Sequence, residues 1–182
     1  MEVSKSLRIT EALKMMVPIG TIMAYGGDVE KSEIIDKLKQ QGWLFCDGTE
    51  YKRTDYPELY DVIQDYFGHG NNSTTFNVPD LCGQFLRGVD HGKKKDPNAL
   101  ERMPSAPGGN ESDAVGSSQK DEFKKHRHKF LPKMICDGTK GRYGGGEWGD
   151  FVDETGEEGG LETRPTNIYV NWIIKATHEI GN

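Results

Sequence analysis

Near its C-terminus the chain turns abruptly apolar, with "NIYVNWIIKA" at residues 167–176. The stretch before it, His91–Arg164, is crowded with glycine and charge and shows no helical period. Ile168, Val170, Trp172 and Ile174 alternate along one face of an expected strand, with Tyr169 and Asn171 on the other. Such a strand needs a partner that formed earlier in the chain. The polar stretch therefore reads as an insertion between core elements, and as a natural place for function. Asn167 and Asn171 are expected to satisfy backbone groups of neighbouring chains.

The earlier elements are legible in turn. Ile9, Leu13 and Met16 give a short amphipathic helix pattern over residues 1–16, ended by Pro18; alone it is marginal and needs something to dock on. "PIGTIMAYGG" reads as a strand closed by Gly26-Gly27. Val29–Gln41 is a helix candidate, with Ile34, Ile35 and Leu38 on one face and Gly42 as its stop. "GWLFCDG" follows as a short buried strand turning at Asp47-Gly48. In "TDYPELYDVIQDYFG", Pro57 suits the first helical position and Thr54 or Asp55 suits a nearby cap. Leu59, Val62, Ile63 and Tyr66 form its apolar stripe. "TTFNVPDLCGQFLRG" supplies two short strands around Pro79, which argues against a central position because proline cannot donate to a ladder.

Composition narrows the function. Hydrophobic residues make up 34% of the 182, and mean hydropathy is −0.72. A chain this poor in apolar residues carries long polar excursions or completes its core through partners. A formal charge of −6 argues against general nucleic-acid binding, the basic stretch Lys120–Lys133 being the local exception. No apolar run approaches the roughly 20 residues of a membrane helix. Met1–Met16 is interrupted by Glu11 and Lys14, so it is not expected to act as a cleavable signal, and synthesis in the cytosol is expected. Cys46, Cys82 and Cys136 match neither zinc-finger spacing nor a disulfide framework.

Six motifs, "VPIGTIMAYGG", "GWLFCDG", "YPELYDVI", "TTFNVPDLCGQFLRG", "VGSSQKDEFKKHRH" and "ETRPTNIYVNWIIKA", occur in this order over residues 17–176. Together they resemble the phage tail collar family, which includes short tail fibres. The resemblance implies a mixed α+β collar domain over residues 17–90, behind the N-terminal attachment helix of residues 1–16. It further implies a Gly-rich, β-rich and intertwined C-terminal tip over residues 91–182, in a homotrimer. It implies a non-enzymatic protein of the virion tail that contacts the host surface, or alternatively a tail-tip or baseplate adaptor without receptor binding. Tail or baseplate proteins are the expected partners of the N-terminus, and neither nucleic acid nor membrane insertion is expected. In the family's short tail fibres a His-x-His from each of three chains holds one metal ion on the threefold axis, and here that motif falls on His126 and His128. The chain departs from the large fibres in lacking a long fibrous shaft.

The residues of "KKHRHKF" can be read on their own terms. On a strand, His126 and His128 point to one side and Arg127 to the other. Two imidazoles fall short of a metal site. Three chains supply six, which suits an octahedral first-row ion such as Fe²⁺, Ni²⁺ or Zn²⁺. The alternative is a solvated basic strand with incidental histidines. Lys124, Lys125, Arg127 and Lys129 repel one another, and solvent or the acidic run "DETGEEGGLE" must offset that.

"DGTKGRYGGGEWGDF" sets Arg142, Tyr143, Trp148 and Phe151 among glycines, a pattern that suits stacking on sugar faces of a host glycan. It equally suits aromatics buried against a neighbouring chain. Asp150, Asp153, Glu154, Glu157 and Glu158 lack the ligand order of a calcium loop and define no catalytic pair. Cys46 or Cys82 with His69 or His91 has no thiol-protease signature. "GGDVEKSE" and "GVDHGKKKD" lack the Gly-Lys-Ser/Thr of a phosphate loop.

Overall fold

A computed structural model of the chain describes residues 17–122 and 164–178. The chain divides into two compact units, one of Met1–Gln119 with Asn167–Asn182 and one of Lys120–Thr166. The first is a small mixture of two helices and several small sheets, and its described residues are the subject below.

A three-stranded antiparallel sheet carries the unit. Its edges are β1 (Ile22–Tyr25) and β2 (Trp43–Phe45), and between them lies β7 (Asn171–Lys175), drawn from the far end of the sequence. Ile22 and Leu44 both pair with Ile174, so three branched side chains form one row on one face. Met23 and Phe45 pair with Ile173 and form the row on the other. Both faces of β7 are covered, so its sequence runs apolar without strict alternation.

The larger core lies on the Ile174 face. There Leu44, Cys46, Phe76 and Val78 pack with Leu59 and Ile63 of the helix α2 (Pro57–Ile63). The smaller core lies on the Ile173 face, where Leu38 of α1 (Ser32–Gln40) and Val29 close over the sheet with Ile35, Trp43 and Phe45 at the margin. Lys175 extends this margin, its Nζ standing 5.3 Å from the Trp43 ring centroid and donating to the Gln41 carbonyl at 2.8 Å.

Two of the expected helices form, α1 starting at Ser32 and not at Val29, while the one expected over residues 1–16 lies outside the described residues. Pro57 does open α2, but neither Thr54 nor Asp55 caps it: the residue before the helix is Tyr56, and no side-chain cap bond is made. Thr54 donates its hydroxyl to Asp55 instead. Val62 remains exposed, and the buried stripe is Leu59 and Ile63. Arg53 lies over the Tyr60 ring at 4.4 Å and reaches Asp65 at 3.2 Å, tying the helix to the neighbouring hairpin.

That hairpin pairs β3 (Glu50–Lys52) with β4 (Thr75–Asn77). Beyond it, Pro79 is followed by a single bridge between Asp47 and Asp80 and not by a second strand. Pro79 has no N–H to continue a ladder, so pairing resumes only one residue later.

β7 is shorter than expected. Ile168, Tyr169 and Val170 are exposed and join no ladder. The reason is the length of the partners: β1 ends at Tyr25 opposite Asn171, and on the β2 side Cys46 N–H donates to the Trp172 carbonyl at 2.9 Å. Asn171, expected to serve a neighbouring chain, serves its own, donating to the Gly27 carbonyl at 2.7 Å.

Gly42 ends the α1 region as expected, at φ +75, and accepts hydrogen bonds from Ala176 and Thr177 N–H. A Cβ there would sit 2.0 Å from the Thr177 carbonyl oxygen. Gly42→Ala is therefore expected to lower stability by about 1–3 kcal/mol, read as a lower melting temperature. An unchanged melt would show that the left-handed turn is not required.

Candidate functional site

Past Asp90 the described chain is held by charge. Asp90 is buried and accepts N–H bonds from Lys94 at 2.6 Å, Lys95 at 2.8 Å and Asp96 at 3.0 Å. Asp96 Oδ2 accepts from Arg102 Nη2 at 2.6 Å and Nε at 3.2 Å, while Asp96 Oδ1 accepts from Asn98 N–H at 3.1 Å. Arg102 also faces Asp113 at 3.6 Å, and Asp113 accepts from Asp90 N–H and Gly92 N–H, each at 2.9 Å. Arg87 stands 3.8 Å from Asp96 on the solvent side. Two short strands, β5 (Met103–Pro104) and β6 (Ser117–Ser118), close this loop system antiparallel.

Burial pushes the Asp90 carboxyl up, but three backbone donors outweigh it and leave the group below its ordinary range. Arg102 is the largest influence on Asp96 and, against the upward push of burial, also leaves it below the ordinary range. The network has no polar atom left over. Among the described residues no buried side-chain nitrogen or oxygen lacks a partner. It fastens the loop that runs from Asp90 to Asp113.

The second feature is a groove of about 310 Å³ at the N-terminal end of β7. Leu81 N–H bonds to the Cys46 carbonyl at 3.0 Å and Gly48 N–H to the Pro79 carbonyl at 3.1 Å, which brings residues 79–83 beside the end of β2. Phe45, Leu81, Cys82, Tyr169, Val170 and Trp172 line the groove, together with Cys46, Gly83 and Asn171. None of these side chains is charged at neutral pH, so the groove offers apolar contact and no acid–base pair.

Neither of its two thiols is shifted towards the thiolate. Burial pushes Cys46 up to about 12, and burial together with the Asp80 carboxylate raises Cys82. Both therefore remain protonated at neutral pH. The His69 Nδ1 lies 2.8 Å from the Gly70 carbonyl.

His126, His128, Arg142, Tyr143, Trp148 and Phe151 lie outside the described residues, as do Met1–Met16, Cys136 and the acidic run. Among the described residues no group of three or more His, Cys, Asp or Glu could hold a metal ion. Nor is any helix there long and apolar enough to cross a membrane. Sequence reasoning missed the Asp90–Asp96–Arg102–Asp113 network and the groove. The groove has a signal: residues 81–86 and 165–174 carry no charge, in a chain that is 29% charged.

Among the described residues the unit is a three-stranded sheet closed by a remote strand, beside a loop fastened by buried charge. Residues 20–86 match the Phage Tail Collar Domain. Protein RhiB of Rhizobium leguminosarum bv. viciae is 36% identical over 149 residues, spanning 78% of this chain and 67% of the relative. The chain belongs to the phage tail collar family.

Proposed function

We propose that the chain works as a homotrimeric adhesin of a phage tail, or of a phage-derived particle, contacting a glycan on the host surface. The observation that carries this reading is the position of Lys120–Thr166. It is inserted between β6 and β7, so both of its ends return to the collar unit. The collar unit then serves as a base, and the inserted segment supplies the contact. Arg142, Tyr143, Trp148 and Phe151 are the stacking and hydroxyl-binding groups. His126 and His128 from three chains provide six imidazoles for one Fe, Zn or Ni ion. The N-terminal segment Met1–Met16 attaches the trimer to tail or baseplate proteins.

The test uses the full chain. Light scattering is expected to give three times the 20.4 kDa chain mass, with elemental analysis showing one metal ion for three chains. Chelator, or His126→Ala with His128→Ala, is expected to remove the metal and lower the melting temperature. Trp148→Ala is expected to weaken binding to host cells or a glycan array at least tenfold, since stacked aromatics dominate such contacts. A metal-free single copy overturns the trimeric reading. A trimer that binds tail proteins through its N-terminus but neither cells nor glycans is an adaptor.

A further inference from the structure

The uncharged groove lies among exposed apolar residues. Gly83, on its rim, is followed two positions later by Phe85, which is 64% exposed, and then by Leu86. Tyr169, which lines it, is 80% exposed and is preceded by Ile168 at 90%. An aromatic side chain offers roughly 150–250 Å², so these residues present on the order of 500 Å² of mostly apolar surface. Exposure on that scale matches the largest apolar patches of single-chain proteins, which are often functional.

Chemistry narrows the occupant. A groove with no charged or convergent polar side chain has little to orient a polar small molecule. A chain of net charge −6 repels its own copies except where charge is absent, and residues 81–86 and 165–174 are such places. Area points the same way. A stable pair needs about 800 Å² from each partner, more than one such face offers. In a closed ring each copy gives its projecting residues to one neighbour and its groove to the other, so each copy is held by two contacts at once even though each contact is small.

We propose that this surface of the collar unit is the contact between copies of the chain, with Phe85 and Ile168 seated against the groove of the next copy. The proposal rests on the reading that copies associate, and adds that they do so through the collar unit independently of any metal at His126 and His128.

The experiment measures the mass of the full chain by light scattering at micromolar concentration. Compared are the wild type, Phe85→Asp/Ile168→Asp, and the control Leu100→Asp, whose leucine is 80% exposed on the 3-10 turn Ala99–Glu101. The double variant is expected to fall to the 20.4 kDa of one chain, with near-UV circular dichroism showing its fold retained. The control keeps the wild-type mass. Should the aspartates disturb the fold, Phe85→Ser/Ile168→Ser is expected to raise the dissociation constant at least tenfold in a dilution series. Retention of the wild-type mass by the folded double variant overturns the proposal. If chelator then separates the copies, a metal-held trimer stands without this surface. A wild type that assembles in a number other than three, through an aspartate-sensitive contact, keeps the surface and removes the threefold reading. A single-copy wild type removes both.

Discussion

Ile174→Ala is expected to destabilise the collar unit by about 2–5 kcal/mol, measured as a lower urea midpoint with little change in slope. Ile174 is fully buried and stands in the row Ile22–Ile174–Leu44 across all three strands. Its core cluster includes Leu59 of α2 and Phe76 of β4, so one truncation opens a cavity where both helix and hairpin meet the sheet. Against a typical total of about 5–15 kcal/mol, that loss is large. Ile168→Ala is the matched control, because alternation alone would put both isoleucines on one buried face. With Ile168 exposed in the single copy, its truncation is expected to stay within about 0.5 kcal/mol of wild type below the concentration at which copies associate, and to cost more above it through the contact proposed for Phe85 and Ile168. Equal losses at the two positions would mean that the strand extends to residue 168 in solution.

The second large effect is expected from Arg102→Met. It removes the main partner of Asp96 and leaves a buried carboxylate facing Asp113 and Asp90 with only Asn98 N–H and the distant Arg87 to hold it. Breaking one side of a buried pair costs far more than losing an exposed one such as Lys31–Asp28. A clear fall in melting temperature at neutral pH is therefore expected. The pH dependence should move too. Asp90 and Asp96 both sit below their ordinary range, so each contributes stability that is complete above the unfolded carboxyl value near ~3.9. That contribution is lost as pH falls through the lowered folded values. Without Arg102 the folded Asp96 value rises, and acid unfolding is expected to begin at a higher pH. Asp96→Asn with Arg102→Met is expected to recover part of the loss by removing the unpaired charge. Superimposable pH profiles for wild type and Arg102→Met would show that the pair does not hold the loop.

The two described helices and the return of the last strand were legible because their signals are local or periodic: Ile35 and Leu38, Leu59 and Ile63, the proline at 57, the apolar run at 172–174. The extent of β7 was not, since it depends on where β1 and β2 end, and alternation along 168–174 carries no information about its partners. The loop system after Asp90 was hidden for a different reason. Its interior is Asp90, Asp96 and Arg102, residues whose composition reads as surface and whose burial follows from a pairing that sequence spacing does not reveal. Of the candidate site, His126, His128 and the four aromatic and arginine positions lie outside the described residues. The groove was readable only as two uncharged stretches far apart in the chain.

The order β1-β7-β2 has a consequence for the time course of synthesis. β1 and β2 are made early, yet neither is the other's neighbour, and each waits for residues 171–175 to leave the ribosome. Throughout that interval the whole inserted segment is translated beside a sheet with its middle missing. Closure is thus a late, long-range event, slow by topology and open to competition from strands of nascent sister chains. Chains on one polysome can therefore meet while their sheets are still open, before the last strand locks each copy shut.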